Sequence, residues 1–158
     1  MTTEIERKYL VKKSVWRSHK KLLESQSPDL GIKYCQGYIP TSNDTTVRLR
    51  IIGKQGYLTI KSKAVGITRA EFEYLIPVDE AQEMLNNLCV KPLIEKFRYK
   101  IKVGNLTWEV DEFLGENGGL IIAEVELEHQ TQKINLPHWI ASAVNEQYYF
   151  NSYLLQHP

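Results

Sequence analysis

Apolar and polar residues alternate along most of this chain. In "EIERKYL" (4–10), Glu4, Glu6 and Lys8 fall on one side of an extended segment, with Ile5, Arg7 and Tyr9 on the other. The same period of two recurs in "IKYCQGYIP", "TTVRLRII", "YLTIKSK", "TRAEFEYLIPV", "IEKFRYKIKV", "LTWEVDEF" and "LIIAEVELE". With the opening segment from about Thr3 to Val11, that predicts eight strands. Gly37 is expected to interrupt or bend the second. "GKQG" and Gly104-Asn105 predict tight hairpins, and "GENGG" another turn. Helical spacing appears in three places. "SVWRSHKKLLES" has Ser14 as its expected N-cap, "DEAQEMLNNLC" has Asp79, and Pro137 would open a short helix in "HWIASAVN". The aromatic tail "EQYYFNSYLLQHP" is expected to pack back on the body. Hairpin connections imply antiparallel pairing, and eight antiparallel strands tend to close into a barrel or split into a sandwich.

The polar side of these strands is charged in pairs. Glu4, Glu6 and Lys8 are followed by Arg48 and Arg50, Lys61 and Lys63, then Arg69 with Glu71 and Glu73. Lys96, Arg98 and Lys100 come next, then Glu109 and Asp111, and Glu124 and Glu126. A single charged strand face usually meets water. Like charges two residues apart repel, however, and their repetition in strand after strand calls for counter-charges or a ligand between them. The helices carry apolar stripes that need a surface to cover. If the apolar side of the sheet faces outward, the helices have that surface and the charges line the lumen. Roughly eight acids and eight bases would not be buried dry, because each would cost several kcal/mol without partners. The expected architecture is therefore α+β, mainly β: an eight-stranded antiparallel, tunnel-like barrel with short helices packed outside, in one domain over residues 1–158.

Composition narrows the function classes. Lys plus Arg is 20 and Asp plus Glu is 19, a net charge of +1, so no bulk attraction to nucleic acid or anionic membrane is indicated. No apolar run is long enough to span a bilayer, and the charged start does not read as a signal peptide. Cys35 and Cys89 belong to no CxxC unit, which argues against zinc and for reduced thiols. A cytoplasmic protein is expected. Clustered carboxylates are hard oxygen donors suited to Mg²⁺ or Mn²⁺. Clustered Arg and Lys suit phosphate oxygens. Together they describe metal-assisted phosphoryl chemistry on a chain of two or three phosphates.

The segments "EIERKYLV", "TVRLR", "LTIKSK", "EFEY", "IEKFRYK", "WEVDEF" and "AEVELE" together resemble the CYTH domain, also called the triphosphate tunnel metalloenzymes. The resemblance is nearest to short, single-domain bacterial members that hydrolyse inorganic tripolyphosphate. It implies Glu4, Glu6, Glu124 and Glu126 as metal ligands, assisted by Asp111, with Glu109 a further candidate at that site. It implies Arg48, Arg50, Lys61, Lys63, Lys96 and Arg98 as the triphosphate grip, and Lys8 with Tyr34 as the proton-handling pair, Tyr38 being the second candidate for the tyrosine. The role of Glu71 and Glu73 stays open, and Cys35 stands where a long polar or basic residue is expected. The same family includes adenylate cyclases, thiamine triphosphatases and nucleoside triphosphatases, for which Tyr57, Trp108 or Tyr34 could stack a base. A polyphosphate-binding or nucleotide-binding module without chemistry is the remaining alternative. The implied partner is a small triphosphate.

Overall fold

The structure is a computed structural model and describes residues 2–144. The aromatic tail lies outside them. Among the described residues there are nine strands: β1 (Thr2–Val11), β2 (Gly31–Ile39), β3 (Thr46–Ile52), β4 (Gln55–Lys61), β5 (Thr68–Ile76), β6 (Ile94–Val103), β7 (Leu106–Phe113), β8 (Ile121–Glu126) and β9 (Ile140–Val144). Two helices, α1 (Lys13–Gln26) and α2 (Val78–Asn87), follow β1 and β5. The sheet runs β5-β4-β3-β2-β6-β7-β8-β1, and a β5–β1 pairing closes it. Every pairing is antiparallel, as the hairpin reading predicts. Two-residue turns join β3 to β4 and β6 to β7. Gly53 (φ 60°) and Gly104 (φ 63°) take their first positions, a conformation that glycine adopts without penalty.

Three local expectations are corrected. The segment from Pro137 is not a helix: Ile140–Val144 forms β9, the ninth strand, beside β1. The reason is an open edge. β5 pairs with β1 only over Thr2–Ile5, and β9 takes the same side of β1 from Lys8 to Val11. Without it, backbone groups there would lack partners. Nor does Gly37 interrupt β2, which continues to Ile39. A Cβ at Gly37 would stand 2.8 Å from Leu93 Cδ2 and 2.9 Å from Cys89 Cβ, so glycine admits a close approach there. Finally, the helices begin two residues earlier than the expected caps allow. Lys12 and Pro77 hold the N-cap positions, and neither makes a side-chain cap.

The apolar sides of the strands form the outer wall. Trp16 of α1 packs with Tyr9, Tyr99, Trp108, Val125 and Trp139 in the larger core cluster. Its indole donates to Glu112 Oε2 at 2.8 Å, and Lys20 bonds the same carboxylate at 2.7 Å. These bonds pin α1 to β7. Leu85 of α2 covers Leu49, with Ile51 and Leu58 beside it. Among the described residues no helix is long and apolar enough to cross a membrane.

Candidate active site

Because the outer wall is apolar, each strand's charged side faces the lumen. The cavity there measures about 390 Å³. Glu4, Glu6, Lys8, Tyr34, Arg48, Arg50, Lys61, Arg98, Glu124 and Glu126 all line it. At one end the charges give way. Ile94, Phe113 and Ile122 stand two residues beyond Lys96, Asp111 and Glu124 on the same strands, and with Tyr38 and Leu120 they form a small apolar cluster.

Strand register decides which charges meet. Glu6 stands directly opposite Glu126, and Lys8 opposite Glu124. Lys8 Nζ lies 2.7 Å from Glu124 Oε2 and 3.6 Å from Glu6 Oε1. Lys61 Nζ bonds both oxygens of Glu4 at 3.0 Å. Burial raises the pKa of Glu6, and nearby Glu124 adds to it, so that it reaches about 7 despite Lys8. Burial and the adjacent Glu4 raise Glu71 to about 7 as well. Glu126 is pushed up by burial, then by Glu4 and Glu109. Burial opposes charge on Glu4 and Glu124 too, but Lys61 holds Glu4 below the carboxylate range, and Lys8 and Arg98 hold Glu124 well below it.

Arg98 is the hub of the basic side. Its Nε and Nη2 grip the two oxygens of Asp111 at 2.7 and 2.9 Å, Nη2 also reaches Glu124 Oε1 at 2.8 Å, and Nη1 reaches Glu109 at 3.2 Å. Lys96, fully buried, donates to Asp111 Oδ2 at 2.7 Å. Burial opposes the Asp111 charge, yet Arg98 and Lys96 bring its pKa down to about 2. Both of its oxygens are thus engaged by bases, as are both oxygens of Glu4 and of Glu124. Burial, with help from Arg98 and Arg50, holds Lys96 well below the usual lysine range. Burial also opposes charge on Lys8, but Glu124 and Glu6 push it above that range. Arg48 bonds Thr59 Oγ1 at 3.2 Å and leaves its buried Nε without a partner among the described residues. Thr59 in turn donates to Glu73 at 2.9 Å. Glu71 therefore sits with the acids and Glu73 balances Arg48.

Two expected positions fall elsewhere. Lys63 lies beyond the end of β4, its side chain 74% exposed, and pairs with Asp44 at 3.3 Å. Cys35 belongs to the outer wall with Leu49, Leu85 and Cys89, so it does not edge the lumen. Its neighbour Gln36 does the polar work. Completely buried, Gln36 accepts from Arg50 Nε at 2.9 Å and donates to the Tyr38 hydroxyl at 3.0 Å. Gln36, Thr59 and Glu112 carry no paired charge, so the i, i+2 charge pattern did not single them out. Of the aromatic residues considered for base stacking, Trp108 is buried in the outer core, and Tyr34 is flanked by Arg50 and Arg98.

A divalent cation is the group this site would be expected to carry. Among the described residues, no three carboxylates, histidines or cysteines are drawn around one point. The donors nevertheless fit: Glu6 and Glu126 are opposed, carboxylate oxygens are hard ligands, and burial followed by neighbouring carboxylates disfavours charge on both, a cost that a bound cation would offset.

Fold and lumen together define a closed antiparallel barrel whose interior is lined by acids and bases. A model of the CYTH domain matches residues 2–152, and the chain belongs to that family. A curated protein of Acetivibrio thermocellus named inorganic triphosphatase is 46% identical, covering 100% of this chain and 96% of that protein. The crystal structure of an inorganic triphosphatase superposes with a TM-score of 0.63 at 28% identity, over 98% of this chain and 95% of that one. A protein of Pyrococcus horikoshii OT3 shares the fold, with a TM-score of 0.59 at 19% identity over 81% of this chain and 80% of that one.

Proposed function

We infer that this protein is a divalent-metal-dependent inorganic triphosphatase, splitting tripolyphosphate into diphosphate and phosphate. One observation carries the reading: a single cavity holds opposed carboxylates at Glu6 and Glu126 and buried guanidiniums at Arg48 and Arg50. The curated relative's activity supports the choice of substrate.

In this reading Glu4, Glu6, Glu124 and Glu126 hold Mg²⁺ or Mn²⁺. When bound, the cation supplies charge neutralisation on phosphate oxygens. Arg48, Arg50, Lys61 and Arg98 grip the phosphate chain. Asp111 serves as the fixed acceptor that orients Arg98 and Lys96, which its committed oxygens support. Lys63 is left out of the grip because of its exposure. Water attacks the terminal phosphorus in line, the bridging P–O bond breaks, and diphosphate departs. Lys8, held as an ammonium between Glu124 and Glu6, donates to an oxygen of the terminal phosphoryl group. The protein works in the cytoplasm, in keeping with two unbridged cysteines.

Phosphate release from tripolyphosphate, ATP and thiamine triphosphate, measured side by side in Mg²⁺ and Mn²⁺, tests the reading. Tripolyphosphate should be preferred. A large preference for ATP would overturn it, and tight binding without turnover would make the protein a sensor.

A further inference from the structure

Arg50 has an unusual setting for a buried cation. Its Nε donates to the neutral amide oxygen of Gln36, and it forms no ion pair among the described residues. What faces its guanidinium is the ring of Tyr34, 5.0 Å from centre to centre. Arg98 approaches the same ring at 5.1 Å, and the Lys96 ammonium stands 6.0 Å away. The three cations reach Tyr34 from the two strands that flank β2: Arg50 from β3, Lys96 and Arg98 from β6. Like charges so close repel: burial disfavours charge on Arg50 most, and Arg48 and then Arg98 add to it. Tyr34 is itself buried, and its hydroxyl makes no hydrogen bond to a described residue.

We propose that Tyr34 is a positioning residue that acts through its ring: the π face holds the Arg50 and Arg98 guanidiniums apart and aimed at one phosphate chain, and the hydroxyl is dispensable. An aromatic quadrupole attracts a cation more strongly as both are withdrawn from bulk water, and Tyr34, Arg50 and Arg98 are all buried. Arg98 has carboxylates to hold it, whereas among the described residues Arg50 has only Gln36 and the ring. The ring also lets Arg50 keep its charge without a carboxylate that would compete with phosphate. This inference rests on the polyphosphate reading of the lumen, but not on hydrolysis.

The test is calorimetric titration of the metal-free protein with tripolyphosphate, alongside KM and kcat for phosphate release. Wild type is compared with Tyr34→Phe and with fluorinated phenylalanines at position 34, which keep the ring's shape while draining its π face. Tyr34→Phe should stay within about twofold of wild type in affinity, KM and kcat, and affinity should fall stepwise with fluorination, by roughly tenfold or more across the series. A loss of kcat in Tyr34→Phe would overturn the proposal and return the hydroxyl to proton handling. An affinity indifferent to fluorination would overturn it too. Wild type that binds tripolyphosphate without splitting it would sink the hydrolase reading and leave this one standing. Wild type that binds none would sink both.

Discussion

Glu6 and Glu126 face each other across the antiparallel β1–β8 pair, with no base between them in the register. Directly opposed like charges destabilise a sheet, so this pair is a structural cost that a cation would relieve. Replacing either residue by Gln should relieve the repulsion and remove a metal ligand. Metal-dependent phosphate release should then fall by roughly two orders of magnitude or more, the scale lost with one electrostatic contact to a reacting group. A phosphate-release assay on E6Q and E126Q decides. Full activity in both would sink the metal assignment.

Burial, reinforced by neighbouring carboxylates, sets a pH dependence. Glu6 and Glu71 have folded-state pKa values of about 7 against a usual 4.5. The folded protein therefore binds more protons than the unfolded chain between those limits. Stability from this source is complete below about pH 4.5 and is lost as pH rises through about 7. The metal-free protein should melt at progressively lower temperature from about pH 5 to pH 8, E6Q should flatten part of that slope, and added Mn²⁺ should raise the melting point most at the alkaline end. A melting temperature that climbs over this range would contradict the assignment.

Asp111 titrates in the opposite sense. Its pKa is about 2 against a usual 3.8, so its contribution is present above about pH 3.8 and is lost as pH falls toward about 2. Asp111→Asn leaves Lys96 and Arg98 short of a buried counter-charge and should destabilise the fold by about 3–5 kcal/mol. Chemical denaturation of wild type and D111N measures this. A variant of native stability with weakened Mn²⁺ affinity would make Asp111 a metal ligand instead.

The barrel was legible because the period of two survives in every barrel strand and because its polar half is charged. Alternation fixes which side of a strand a residue takes, so Glu4, Arg50 and Glu124 could be grouped from spacing alone. What the spacing cannot carry is register between strands. That register decides that Arg98 meets Asp111, and that Glu6 meets Glu126 while Lys8 meets Glu124. β9 was misread because its cause is remote: the early departure of β5 from β1 leaves an edge to fill, and the local signal of Pro137 points to a helix. Gln36 was missed because an uncharged residue carries no sign to match, though its place between two lumen tyrosines on β2 was a usable signal.

Lys61 and Lys63 test how far the alternation can be trusted. Both belong to "TIKSK" and both fall on the polar side by spacing, but β4 ends at Lys61. Lys61 is buried on Glu4, whereas Lys63 reaches out to Asp44 in an exposed pair. An exposed ion pair of that kind contributes little to stability and is screened by salt. Lys63→Ala should therefore leave KM and kcat within about twofold of wild type. Lys61→Ala frees the Glu4 carboxylate next to Glu71 and removes a cation from the lumen, so it should raise KM for tripolyphosphate by roughly tenfold or more. Steady-state kinetics on the two variants, with melting curves to confirm that both are folded, separate the positions. A Lys63→Ala variant as impaired as Lys61→Ala would mean that the strand extends further when substrate is bound and brings Lys63 into the grip.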